Sequence, residues 1–260
     1  MAGAIIGGLL DKGYAAGQLS VIEIAAETRA KLARQYGVAA HAQIDAATAL
    51  GDSIVLAVKP QNMREAAMAL RPFLKRELVI SIAAGIRSTD LSRWLGGYSR
   101  LVRVMPNTPA LVGAGLTGVY AAAGAASADA AQAETILGAV GTTLRVERED
   151  ELDAITAVSG SGPAYVFYFM EALQRSAQGL GFAPDAARRL TLQTFAGAVK
   201  LAAASPEDPA TLRARVTSKG GTTAAALASM DADGINDAIV RAVKAADARS
   251  RELGDELGKD

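Results

Sequence analysis

At 260 residues, 50% hydrophobic and 21% charged, the chain has a soluble globular composition long enough for one large or two modest domains. Lysine plus arginine balance aspartate plus glutamate at 27 each, so no net field draws nucleic acid or an anionic membrane, and small ligands are the expected partners. The absence of cysteine excludes a disulfide framework, a thiolate nucleophile and a zinc–thiolate site; nothing reads as a signal peptide or a bilayer span, and a cytoplasmic location is expected.

Residues 1–12 read as a helix that begins at the first residue, 19–24 as a short strand, and 27–36 as a helix closed by Gly37. A strand over 53–58, a helix over 61–70 and strands over 78–83 and 101–104 follow. Strands separated by helical segments of about ten residues indicate βαβ units and a doubly wound parallel sheet, an α/β fold. Ligands of such a sheet bind outside the carboxyl ends of the strands. Three of those ends are suggestive and are expected on one sheet edge. The first leaves through Lys59 and Pro60, the second through the small residues Ala83, Ala84 and Gly85, and the third through Pro106, Asn107, Thr108 and Pro109. Small residues let a flat ligand lie against backbone. Lys59 either offers a cation to a phosphate or is a solvated lysine at a helix start. His41, the only histidine, reads as a solvated surface residue.

From residue 125 a helix to 140 and a last strand over 141–146 complete the first part. Everything from 149 onward reads as helix, so a domain boundary is placed between 148 and 149. The acidic run Glu147, Glu149, Asp150 and Glu151 there is read as charge complementing a helix N-terminus. Residues 164–180 carry Tyr165, Val166, Phe167, Phe169, Met170 and Leu173 and leave hardly any polar face. A helix apolar nearly all round is expected to be buried, and a partner subunit is the natural cover. Glu171 on it reads either as facing a ligand or as a carboxylate between helices.

The stretch 216–223 runs into an alanine-rich helix. Gly220 and Gly221 allow positive φ and close approach to backbone, and Thr222 or Thr223 suits the N-cap. Several N–H groups then point at one spot at the positive end of a helix dipole, where a phosphate or carboxylate fits, with hydroxyls of Thr217, Ser218, Thr222 and Thr223 as further donors. An ordinary glycine turn capped by threonine is the alternative on these residues alone.

The segments AVKP (57–60), SIAAGI (81–86), RVMPNTPALVGAG (103–115), VSGSGPAYVF (158–167) and VTSKGGTTAAAL (216–227) resemble, in order and spacing, the pyrroline-5-carboxylate reductases. The resemblance implies a Rossmann-like domain over 1–148 that binds NADPH or NADH, NADPH being usual in the family. It also implies an all-helical dimerisation domain over 149–260, a homodimer often assembled into decamers, and reduction of 1-pyrroline-5-carboxylate to L-proline. Carried over by motif, Ala57, Val58, Lys59, Pro60, Ala83, Ala84 and Gly85 line the dinucleotide, with Asn107 and Thr108 near its nicotinamide end. Ser218, Gly220, Gly221, Thr222 and Thr223 hold the substrate carboxylate at the dimer interface, and the Thr223 hydroxyl lies beside the ring nitrogen as the catalytic group. No His, Cys or metal is required.

Three departures from the family pattern carry expectations. Residues 1–4 correspond to the end of the glycine-rich phosphate loop, so the first strand and that loop are expected to be missing and a polypeptide that starts at Met1 is expected to bind dinucleotide weakly. Lys219 and Arg215 stand where proline and an amide are common and add positive charge near the cradle. Glu23, at the end of the second strand of the pattern, would bond the ribose 2′-OH and favour NADH. Two alternatives stay open: another NAD(P)H-dependent imine or hydroxyacid reductase, in which Lys200 would have to serve, and a non-catalytic dimer without cofactor binding.

Overall fold

The computed structural model describes residues 1–45, Thr48 and residues 51–259. By packing they form two units, residues 1–161 with 246–259, and residues 162–245. This division differs from the sequence boundary at 148/149, because residues 151–155 pack on the strands 101–105 and 115–121, and the last turns of the final helix pack on Gly85 and Arg87.

In the first unit, α1 (Ala2–Asp11) buries Ile5, Ile6 and Leu9. Its glycines make room for Tyr36 at the end of α2 (Ala26–Tyr36): a Cβ on Gly3 would stand 3.3 Å from the Tyr36 hydroxyl oxygen. Gly37 adopts φ 67° and closes α2 as expected. Strand β1 (Ser20–Ile22) pairs in parallel with β2 (Ala39–His41), a three-residue strand that gives too little alternation to be read from sequence. These two strands form a sheet of their own, and His41 is exposed at its end.

The second sheet runs in the order β3 (Ser53–Leu56), β4 (Leu78–Ser81), β5 (Leu101–Met105), β6 (Gly115–Ala121), β7 (Gly141–Arg145). It is parallel through β5, as expected of a doubly wound sheet, and then β6 runs antiparallel to β5 and β7 parallel to β6. The reason is the connection: residues 106–114 hold only a short 3₁₀ turn and no crossover helix, so the chain turns back. Alternate residues of the central strands feed two cores. Val79 and Leu101 pack with Met63, Ala67 and Leu70 of α3 (Met63–Leu70) and with Leu91 and Trp94 of α4 (Ser88–Trp94). Leu78, Ile80, Val102 and Val104 pack with Ile5 and Leu9 of α1 and with Ala133 and Leu137 of α5 (Ser127–Leu137). Helices therefore cover both faces, as an α/β sheet requires. After β7, α6 (Glu151–Ile155) passes into a π-helical turn, Thr156–Gly160.

The second unit contains α7 (Gly162–Gly179), α8 (Pro184–Ala203), α9 (Pro209–Arg215), α10 (Thr222–Ala232) and the start of α11 (Ile235–Leu257). Helix α7 packs against α8 across the short connection 180–183. Within the single chain α7 has no buried residue, and Phe167 and Tyr168 are 63% and 73% exposed. The expected burial of α7 is not provided among the described residues of its own chain, where α8 is its main packing partner.

Candidate functional site

Strands β3, β4 and β5 are parallel and in register, Leu56 opposite Ser81 and Ser81 opposite Arg103, so the three predicted exits leave one sheet edge. At the first exit Ala57 and Pro60 are half-buried while Val58 and Lys59 are exposed. Lys59 pairs with no carboxylate among the described residues. At the second exit Ala83 belongs to the core beneath α3 and α4, and its N–H donates to the Ser81 hydroxyl at 3.4 Å. Gly85 is buried with φ 73°, and a Cβ there would stand 3.1 Å from Leu257 Cδ1 and 3.3 Å from Leu253 Cβ of α11. Its lack of a side chain is thus explained by packing on α11, and only Ala84 of the three small residues is open enough to meet a ligand with its side chain.

At the third exit Thr108 is exposed, but Asn107 is engaged within the fold. The Leu116 N–H donates to Asn107 Oδ1 at 3.0 Å, and Asn107 Nδ2 donates to Ser159 Oγ at 3.0 Å and to the Ser159 carbonyl at 3.3 Å. Glu23 follows β1, in the other sheet. Its N–H donates to the His41 carbonyl at 2.9 Å, and its carboxylate accepts the Ala25 N–H at 2.8 Å. Arg29, which sequence reading missed, folds back on this turn and donates to the carbonyls of Glu23 at 2.7 Å and Ile24 at 3.2 Å. The signal was available: an acid ending a strand with an arginine in the first turn of the helix that follows.

The glycine stretch of the second unit also has a definite geometry. Gly220 has φ 72°, and the Gly221 N–H donates to the Ser218 carbonyl at 3.0 Å, closing a tight turn. The N-cap of α10 is Gly221, not Thr222 or Thr223, and no side chain caps the helix. Thr222, Thr223 and Ala224 therefore occupy the first helical turn, whose N–H groups have no intrahelical partner. Among the described residues the hydroxyls of Ser218, Thr222 and Thr223 have no hydrogen-bond partner either, whereas Thr217 donates to the Arg213 carbonyl at 2.7 Å and is spent. Arg215 is paired with Glu207 at 2.5 Å, which removes it from the cradle, while Lys219 is exposed beside it. The turn offers backbone and hydroxyl donors to one small anion.

The acidic run before α6 does something its sequence did not reveal. Glu149 serves a helix N-terminus, though that of α4: its carboxylate accepts the Ser88 N–H at 2.6 Å and the Ser88 hydroxyl at 2.7 Å, and pairs with Arg103 of β5 at 2.6 Å. Burial, the largest influence, pushes the Glu149 carboxyl up, but the Arg103 charge and the hydrogen bonds from Ser88 and Arg103 outweigh it and hold the group below its ordinary value. Elsewhere, Glu171 and Lys200 are exposed in the second unit, and no described helix is long and apolar enough to cross a membrane.

Residues 149–253 match the family described as pyrroline-5-carboxylate reductase dimerisation, and residues 1–85 the family described as NADP oxidoreductase, coenzyme F420-dependent. The pyrroline-5-carboxylate reductase of Pseudomonas aeruginosa is 45% identical over 260 residues, covering 100% of this chain and 95% of that protein. That of Haemophilus influenzae is 42% identical over 255 residues, covering 97% and 94%. Among solved structures, a pyrroline-5-carboxylate reductase from Coxiella burnetii gives a TM-score of 0.90 at 37% identity, over 97% of this chain and 94% of that one. A pyrroline carboxylate reductase from Plasmodium falciparum with NADP bound gives 0.86 at 28% identity, over 96% and 93%. With likeness of this degree over its whole length, the chain belongs to the pyrroline-5-carboxylate reductase family.

Proposed function

We propose that the chain reduces the C=N bond of 1-pyrroline-5-carboxylate to give L-proline, with a nicotinamide dinucleotide as reductant. When bound, the dihydronicotinamide supplies the hydride. The protonated imine accepts it at carbon, the π electrons of the C=N bond become the nitrogen lone pair, and the amine takes its second proton from water. An iminium carbon is already electrophilic, so the protein has chiefly to orient the substrate and stabilise the change of charge at nitrogen.

The observation that carries this reading to the residues is the turn 218–224. It holds three N–H groups and three unengaged hydroxyls around a tight glycine turn, a donor set suited to a carboxylate. Ser218, Gly220, Gly221 and Thr222 bind the substrate carboxylate, and Thr223 places its hydroxyl at the ring nitrogen. Residues 57–60, Ala84 and Thr108 form the dinucleotide edge, with Lys59 as the free cation for a phosphate and with Glu23 and Arg29 at the adenosine ribose. The open small-residue edge and the unpaired Lys59 fit such a group. NADPH, the usual family cofactor, is opposed by the Glu23 carboxylate and aided by Arg29. The ratio of NADH to NADPH dissociation constants, measured for the protein and for Glu23→Gln, decides which residue dominates.

The same reading makes the protein a self-associating enzyme of the cytoplasm, a dimer through its helical unit with a decamer as the larger assembly. Consumption of NADPH or NADH on addition of 1-pyrroline-5-carboxylate, with L-proline identified as product, tests the activity. Dinucleotide binding without turnover would leave a binding protein in its place.

A further inference from the structure

Asn107 lies on the edge assigned to the nicotinamide, yet its carboxamide is already occupied. An asparagine side chain has two N–H donors and one carbonyl acceptor. Here the amide nitrogen faces both the hydroxyl and the carbonyl of Ser159, and the oxygen takes the Leu116 N–H. The orientation is forced, because reversing the amide would set donor against donor at Leu116 and acceptor against acceptor at the Ser159 carbonyl. One side chain thus ties the exit of β5 to the first residues of β6 and to the π-helical turn Thr156–Gly160.

That turn has a second contact with the same exit. A Cβ on Gly160 would stand 2.8 Å from Met105 Cε, so the turn lies in close contact with the side chain that ends β5. Within the turn the Ser161 N–H donates to the Thr156 carbonyl at 2.8 Å, five residues back, and the Thr156 hydroxyl donates to the Leu152 carbonyl at 2.7 Å. A π-turn is a less favourable helix than the α form and persists where surrounding contacts hold it, often beside a functional site.

We propose that Asn107 is a positioning residue acting through Ser159: it clamps the π-turn to the end of β5, fixes the loop 106–109 at the dinucleotide edge, and does not itself bind the dinucleotide. The inference rests on reading that edge as the cofactor site. It replaces the expectation that Asn107 lines the nicotinamide, since the carboxamide nitrogen is turned to Ser159 and its oxygen to the Leu116 N–H.

The test is a double-mutant cycle of Asn107→Ala, Ser159→Ala and both together. It is read in kcat, in the NADPH dissociation constant, and in amide exchange at Leu116 and Ser161. Misplacing the loop should lower kcat between about tenfold and a hundredfold in Asn107→Ala, with the dissociation constant within about twofold of the unaltered protein. Ser159→Ala should do part of this, the double variant should be no worse than Asn107→Ala, and Leu116 and Ser161 should exchange faster. Asn107→Asp, which keeps the acceptor for Leu116 and loses the donor to Ser159, stands in if Asn107→Ala folds poorly: kcat should fall in the same range and Ser161 should exchange faster, with Leu116 unchanged. A dissociation constant raised tenfold or more by Asn107→Ala and untouched by Ser159→Ala overturns the proposal, as do effects on kcat that simply multiply. If the unaltered protein binds dinucleotide but does not reduce pyrroline-5-carboxylate, the activity reading falls, and amide exchange and the dissociation constants still decide the clamp.

Discussion

Arg103 in the middle of β5 and Glu149 ahead of α6 meet at 2.6 Å, with side chains only 8% and 21% exposed. The two residues are 46 positions apart, and the same carboxylate also caps α4 at Ser88. Removing Glu149 leaves the Arg103 charge buried without its counter-ion, and the cost of such a loss is on the order of 3–5 kcal/mol. Glu149→Ala should therefore lower the melting temperature markedly, and Ser88→Ala by much less. A melting temperature for Glu149→Ala within a degree or so of the unaltered protein would mean that solvent screens the pair.

The pH dependence has a definite sign. The folded Glu149 carboxyl titrates below its ordinary value, so its contribution is present above the unfolded pKa and is lost as pH falls through the folded one. Urea midpoints should fall as pH drops below the ordinary glutamate value of about 4.3. The fall should be shallower in Glu149→Gln, which has no carboxyl to protonate at this site; an identical profile in the two proteins would remove Glu149 from the account.

Gly85 is held by φ 73° and by the side chains of Leu253 and Leu257. Gly85→Ala has to adopt a left-handed backbone and displace those leucines, which together cost roughly 1–3 kcal/mol. The expected result is a lower melting temperature with the dinucleotide dissociation constant of the folded protein little changed. Unchanged stability with weakened binding would make Gly85 a ligand contact instead.

Thr223 is the second residue of α10, and the cap belongs to Gly221. Loss of its hydroxyl should therefore cost little stability. If it bonds the ring nitrogen more strongly in the transition state than in the ground state, Thr223→Ala lowers kcat and kcat/KM together, on the order of tenfold to a thousandfold. Thr222→Ala should act on KM. A Thr223→Ala protein with unaltered kcat excludes the catalytic role.

Phe167 and Tyr168 of α7 are largely exposed in the single chain. An apolar face of this kind on the unit that matches a dimerisation family should be covered by a second copy. Phe167→Asp should shift the molar mass in light scattering from dimer toward monomer at micromolar concentration. A dimer of unaltered stability in that variant would place the contact on another face.

Local pattern was enough for most elements. The apolar runs over 78–81 and 101–104, the helical spacing of residues 63–70 and the stop at Gly37 depend on neighbours a few positions away, and the structure forms them where those neighbours direct. The motifs placed the family and the three exits on one sheet edge for the same reason. Strand β6 was not read from the sequence at all, since in Gly115–Ala121 two glycines and a threonine interrupt Leu116, Val119 and Tyr120 and leave no strong period, and its direction follows from the short turn before it. The N-cap of α10 went to Gly221 because turn geometry, not hydroxyl chemistry, decides which residue precedes the first helical one. The partners of Glu149 and Asn107 lie 46 to 61 and 9 to 52 residues away along the chain. A hydrogen bond needs atoms within about 3 Å, and a sequence states the residue types but not which of them the packed strands and turns bring to that distance.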